Sequence, residues 1–94
     1  MSANYELEQA IKPRVWSVKN PERPRCRYVG RGSRFGNPFV IGRDGDRAEV
    51  IRLFCEWVLP TLDVEELRDC DLECHCSPLP CHADWILRKA NHAY

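Results

Sequence analysis

The sequence predicts a small α/β or α+β domain, a three-stranded sheet with covering helices in the order ββααβα. Three observations carry this reading. Two short stretches rich in β-formers lie near the front, residues 14–18 (RVWSV) and 25–29 (RCRYV). A third stretch, residues 70–76, alternates Cys70, Leu72, Cys74 and Cys76 with Asp71, Glu73 and His75, the period of a strand with one apolar face. Two further segments carry apolar residues at helical spacing. With 94 residues there is room for one core, so residues 1–12 are read as a polar N-terminal arm and 13–94 as a single domain.

Taken in order, the first two strands are separated by the Pro-containing turn NPERP and are expected to form a hairpin or to neighbour each other in the sheet. A loop with three glycines follows, then a short apolar VIG. A helix is expected to start near Asp46, because Asp46 and Glu49 form the D-x-x-E variant of a capping box and Ile51, Phe54, Cys55 and Val58 recur at helical spacing. Pro60 ends it. A second box, Asp63 to Glu66, opens a short helical turn through Leu67. After the third strand the segment SPLP turns the chain, and Ala83, Ile86, Leu87 and Ala90 mark an amphipathic final helix. Trp16, Trp57 and Trp85 are expected in the core, and His92 in solvent near the end of the last helix.

The formal net charge of zero hides an asymmetry. Residues 11–43 hold nine Lys or Arg against Glu22 alone, a charge of +8, while residues 44–94 hold five bases and eleven acids, a charge of −6. The chain is therefore not a bulk polyanion binder, but its basic third suits an anionic partner or is simply a solvated arginine-rich surface. No run approaches the ~18 apolar residues of a membrane span, and Glu6 and Glu8 stand where a secretory signal would be basic and then apolar. A cytoplasmic protein with reduced thiols is the expectation, despite six cysteines. Cys26 and Cys55 are read as small buried hydrophobes, the former within a strand.

Two motifs resemble a known family. YVGRGSRFGNPF (residues 28–39) and CHCSPLPCHAD (residues 74–84), ungapped and in that order, are similar to the bacterial and phage family called domain of unknown function 4326, over about residues 13–91. The resemblance implies a bacterial or phage-infected cytosolic setting and no particular reaction. Members of that family usually carry an aromatic residue where this chain has His75, so position 75 is not an obligatory ligand or catalyst.

The second motif is the sharper in chemistry. Cysteines two apart on a strand project to one face, so Cys74 and Cys76 are expected at one spot, and SPLP returns Cys81 and His82 to the start of the next helix beside it. Three uses compete for that corner. The first is zinc held by Cys74, Cys76, Cys81 and either His82 or a distant residue, although C-x-C-x4-C-H is not the usual pair of C-x-x-C knuckles. The second is nucleophilic catalysis by Cys81, its thiolate favoured by the helix dipole and by His82, with His82 or Asp84 as proton carrier. The third is packing, with small thiols in a tight corner and His82 capping the helix. Glu73 and His75 share the opposite face, as an acid and base pair or as a plain exposed surface.

In the first motif, the glycines allow close approach of a ligand. Gly30, Arg31, Gly32, Ser33, Arg34, Phe35, Gly36 and Asn37 are candidate ligand-binding residues. Arg31 and Arg34 supply planar donors for phosphate or carboxylate, Ser33 and Asn37 add neutral hydrogen bonds, and Phe35 or Phe39 offers a face for a base. The alternative is a structural loop closed by its phenylalanines. The leading expectation is a domain that binds or processes a small anionic ligand such as a nucleotide or nucleoside phosphate. Two others stand beside it: a zinc-stabilised module binding nucleic acid through residues 12–34, and a phage protein that binds a host protein.

Overall fold

The structure is a computed structural model that describes residues 13–77 and 79–92. The arm expected over residues 1–12 lies outside them. Three strands, β1 (Val15–Ser17), β2 (Arg27–Tyr28) and β3 (Leu72–Cys74), form one sheet in the order β1-β3-β2, and both outer strands run parallel to β3. Helix α1 (Arg47–Trp57) lies between β2 and β3 in the chain, and α2 (His82–Ala90) follows β3. The domain is thus a small α/β fold, and the expected hairpin is replaced by a different pairing. β3 uses both of its edges: Leu72 N–H donates to the Arg14 carbonyl and Val18 N–H to the Cys74 carbonyl on one side, while Arg27 and Val29 N–H groups donate to Asp71 and Glu73 on the other. Because β2 and β3 run parallel, the chain between them has to return along the sheet, and it does so through α1.

All three strands are shorter than the β-forming runs suggest. Cys26 lies just before β2 and is half-buried, and Cys76 lies beyond the end of β3. Asp71 closes the lower end of the sheet, accepting from the Arg14 backbone N–H at 2.9 Å and from Trp16 Nε1 at 3.3 Å.

Helix α1 begins as its sequence dictates, with Asp46 as N-cap accepting the Glu49 N–H at 2.8 Å. The Glu49 carboxylate does not reach back; it pairs with Arg52 one turn on. After Trp57 the chain tightens into a 3-10 turn, Leu59–Thr61, that contains Pro60. A second 3-10 turn, Glu65–Leu67, is held by Asp63 accepting from the Glu65 N–H.

The core gathers Val29, Phe35, Phe54, Leu67, Leu72 and Ile86 between the sheet and the helices, with Val64, Cys74, Cys81, Ala83 and Ala90 filling around them. Phe54 and Leu72 have no exposed surface, and burying side chains of this size supplies about 1.5–3 kcal/mol each. None of the three tryptophans expected in the core is there: Trp16 is half-buried on β1, Trp57 is 69% exposed and Trp85 40% exposed. Trp57, the last residue of α1, is in helical phase with Val50 and Phe54 but stands at the helix end, and Trp85 lies off the Ala83, Ile86 and Ala90 stripe of α2, with Arg88 over its ring at 5.1 Å. Helical phase keeps Trp85 out of the core whatever its hydrophobicity, whereas Trp57 is left exposed where α1 ends and the chain tightens into the 3-10 turn. Among the described residues no helix is long and apolar enough to cross a membrane.

Candidate functional site

Parallel strands deliver every loop that follows a strand to the same edge of the sheet. β2 and β3 are neighbours, with Tyr28 opposite Glu73, so the glycine-rich loop and the cysteine corner leave the sheet side by side. They border one cavity of about 570 Å³ at that edge, where open α/β sheets characteristically take ligands.

From the first loop, Gly30, Arg31, Gly32 and Asn37 line the cavity; Ser33, Arg34, Phe35 and Gly36 do not. Ser33 Oγ donates to the Gly30 carbonyl at 2.7 Å and accepts from the Phe35 N–H, which closes the turn. Phe35 is part of the core. Gly36 passes so near the start of the loop that a Cβ there would stand 2.8 Å from the Gly30 carbonyl oxygen. Gly32, at φ +97°, occupies the left-handed region where a side chain is strained. Asn37 clasps the loop to α1, donating from Nδ2 to the Val50 carbonyl at 3.0 Å while Oδ1 accepts from the Phe39 N–H.

The two arginines of the loop diverge. Arg34 turns away, pairing with Glu66 at 2.6 Å and lying over the Phe35 ring at 4.3 Å. Arg31 stays on the cavity, exposed, with one long contact from Nη1 to the Asn37 carbonyl at 3.4 Å. A second guanidinium, which sequence reasoning missed, comes from α1: Arg47 borders the cavity and donates to the Pro80 carbonyl at 3.1 Å. Its signal was present, because a cation in the first turn of a helix opposes the dipole and calls for another reason to be there. Phe39, Ile41, Val50 and Ile51 supply apolar walls. Among the described residues that line the cavity, none is a carboxylate.

The cysteine corner forms the floor. Cys74, the last residue of β3, is 1% exposed and Cys81, the N-cap of α2, 3% exposed; their sulfurs stand 3.3 Å apart as free thiols. Cys81 Sγ also accepts the Ala83 N–H at 3.3 Å, and the Asp84 carboxylate accepts the Cys81 N–H at 3.1 Å, so the helix begins with a reciprocal capping box. Cys81 caps the helix, and not His82. One proton between two sulfurs divides their acidities: the Cys81 S–H, donated to Cys74, brings the Cys74 thiol down to about 6, helped by the Ser77 and Cys76 backbone N–H groups, and Cys81 is pushed up by holding that proton and by burial.

His82 is buried, with Nε2 at 2.8 Å from the Val29 carbonyl, Nδ1 at 3.4 Å from Cys81 Sγ and its ring edge-on to Phe54 at 5.0 Å. Burial lowers its pKa, so the imidazole is neutral near pH 7. A carbonyl only accepts, so Nε2 carries the hydrogen and Nδ1 turns its lone pair toward Cys81. The orienting group is therefore a backbone carbonyl at the end of β2, which no side-chain motif reveals.

Cys76 borders the cavity, half-buried, but no group of three His, Cys, Asp or Glu side chains among the described residues is placed to hold a metal ion. Glu73 and His75 part company, since Glu73 is held by Arg23 at 2.7 Å and His75 meets the Tyr28 ring edge-on at 5.9 Å. His92 lies in solvent, 3.0 Å from Glu65.

A family model described as Domain of unknown function (DUF4326) matches residues 15–92, which include both motifs. No curated protein and no solved structure matches the chain.

Proposed function

The chain belongs to the DUF4326 family, and from that premise we propose that it binds a small anionic ligand, a nucleotide or nucleoside phosphate, in the cavity at the end of β2 and β3. The observation that carries this reading is the meeting of two guanidinium groups, Arg31 and Arg47, on a cavity with apolar walls and no carboxylate among its described lining. Planar guanidinium donors match phosphate oxygens two at a time, and the first backbone N–H groups of α2 add partial positive charge at the floor. Tyr28 and Phe39 offer aromatic faces for a base, and the volume suits a ligand of that size.

The basic segment favours this reading over a nucleic-acid surface. Arg23 is paired with Glu73, and Arg27 and Arg34 share Glu66, so three of its arginines are already engaged within the domain. The test is a thermal-shift screen of nucleotides, nucleoside monophosphates and inorganic phosphate. A ligand at ~100 times its dissociation constant adds about 2.7 kcal/mol to a fold that binds it. The expected result is a rise in Tm that Arg31→Lys and Arg47→Lys each reduce and Arg34→Lys leaves alone. If no phosphate compound raises Tm, or if Arg34→Lys weakens the response as much as Arg31→Lys, the reading fails. A steep loss of binding with salt that all basic substitutions share would favour nucleic acid.

A further inference from the structure

Anion binding leaves the chemistry of the cavity floor unused. Cys74 and Cys81 are two free thiols in contact at 3.3 Å, both bordering a cavity far larger than the ~30 Å³ of a water molecule. Each is fixed by its backbone, one at the end of a central strand and the other at a helix N-cap. Of the other four cysteines, Cys26 and Cys70 donate to backbone carbonyls, Cys55 lies on α1, and Cys76 borders the same cavity but makes no sulfur–sulfur hydrogen bond among the described residues. On the far side of Cys81, His82 turns its Nδ1 lone pair toward the sulfur at 3.4 Å. Three groups therefore stand in a row: thiol, thiol, base. The outer thiol, Cys74, stands 3.3 Å from Cys81 Sγ on the cavity floor, and that neighbour lowers its pKa, which favours the thiolate.

We propose that Cys74 and Cys81 form a redox-active pair that reduces a small hydroperoxide entering the cavity, with Cys74 attacking and Cys81 resolving. The Cys74 thiolate attacks one peroxide oxygen; the S–O bond forms, the O–O bond breaks, and the departing oxygen takes a proton to leave as water or an alcohol, so that Cys74 becomes a sulfenic acid. His82 Nδ1 then takes the proton of Cys81. The Cys81 thiolate attacks the Cys74 sulfur, the S–S bond forms, the S–O bond breaks, and hydroxide leaves into the cavity, where it takes a proton from solvent to become water while His82 gives up its own proton to solvent. Two thiols have lost two electrons, and the peroxide has gained them. This assigns to Cys74 the attacking role that the sequence alone suggested for Cys81. Its test does not depend on which anion the cavity binds.

The experiment treats the reduced protein with hydrogen peroxide, blocks the remaining thiols and maps all six cysteines by mass spectrometry. The expected product is a single disulfide, Cys74 to Cys81, formed at least about tenfold faster than oxidation at Cys26, Cys55, Cys70 or Cys76 and reversed by dithiothreitol. In Cys81→Ala, Cys74 is expected to stop at the sulfenic acid and be labelled by dimedone; in Cys74→Ala, Cys81 is not labelled. A different pairing, equal rates at all six cysteines, or thiols that do not react overturns the pair. Dimedone on Cys81 in Cys74→Ala and none on Cys74 in Cys81→Ala overturns the order of attack. Disulfide mapping of the unsubstituted chain decides whether the pair forms even if either variant fails to fold.

Discussion

The two loops that meet at the cavity are made by opposite means. The loop after β2 is shaped by its backbone: Gly36 lets the chain pass close to Gly30, Gly32 takes a left-handed conformation, Ser33 closes the turn, and Asn37 clasps it to α1. Of its two charged side chains, Arg34 pairs with Glu66 and Arg31 is left exposed on the cavity. The corner after β3 is shaped by side chains: Cys81 caps α2, Asp84 completes the cap, and His82 ties the corner back to the Val29 carbonyl. In the loop, shape and chemistry belong to different residues and are separable by mutation; in the corner, the same sulfur and imidazole atoms serve both.

The largest expected break in this comparison is His82→Ala. It removes a buried ring packed on Phe54 and leaves the Val29 carbonyl without its imidazole partner, for a loss of about 3 kcal/mol. In a domain of this size that lowers Tm by roughly 4–8 °C per kcal/mol, read by calorimetry. Were the variant as stable as the parent, the corner would not be held by its side chains.

Gly36→Ala should cost less, about 1–3 kcal/mol, because the new Cβ meets backbone at 2.8 Å and the loop has to shift. It should also weaken any phosphate response in proportion to the displacement of Arg31. Stability without loss would mean that the loop is looser than its close approach requires.

Acidification distinguishes the two regions again. The folded pKa of His82 is depressed, so below the ordinary value of 6.5 the unfolded chain takes the proton more readily. Stability from a neutral His82 is present above that value and is lost as pH falls through the folded pKa. Tm should already decline between pH 7 and 5, and His82→Gln should flatten that part of the curve. The carboxylates held by arginines, Asp44, Glu49 and Glu66, have lowered pKa values and lose their contribution only below their ordinary range of 3.8 to 4.5. A decline confined to that lower range would contradict a neutral buried His82.

The smallest effect on stability is expected from Arg31→Lys, since its guanidinium is exposed and weakly engaged. Its effect on ligand response should nonetheless exceed that of Arg34→Lys, whose partner is Glu66.

Much of this is legible in the sequence, and what escapes does so for identifiable reasons. Capping residues and helical spacing locate α1 and α2, and Cys74, Cys81 and His82 are legible as convergent because a strand, a short turn and a helix start leave little freedom. The sheet order is not legible, since nothing in RVWSV or RCRYV says which strand lies between them; that is decided by pairing over more than forty residues. Arg34 is indistinguishable from Arg31 in the sequence because its partner, Glu66, is 32 residues away. Arg47 and the Val29 carbonyl escape because one sits outside both motifs and the other is backbone.

The central position of β3 has a consequence for how the chain acquires its structure. The middle strand of the sheet is the last one to be synthesised, and each outer strand pairs with it and not with the other. Until residues 72–74 have left the ribosome, neither β1 nor β2 has a neighbour, and the capped helix α1 has no completed sheet to pack on. Every ladder bond closes a loop of more than forty residues, so the domain assembles in one late, non-local step and its folding is slow for its size. Nascent chains that end before β3 lack the strand that completes the core around Val29, Phe35 and Phe54, and apolar surface left uncovered in this way favours aggregation.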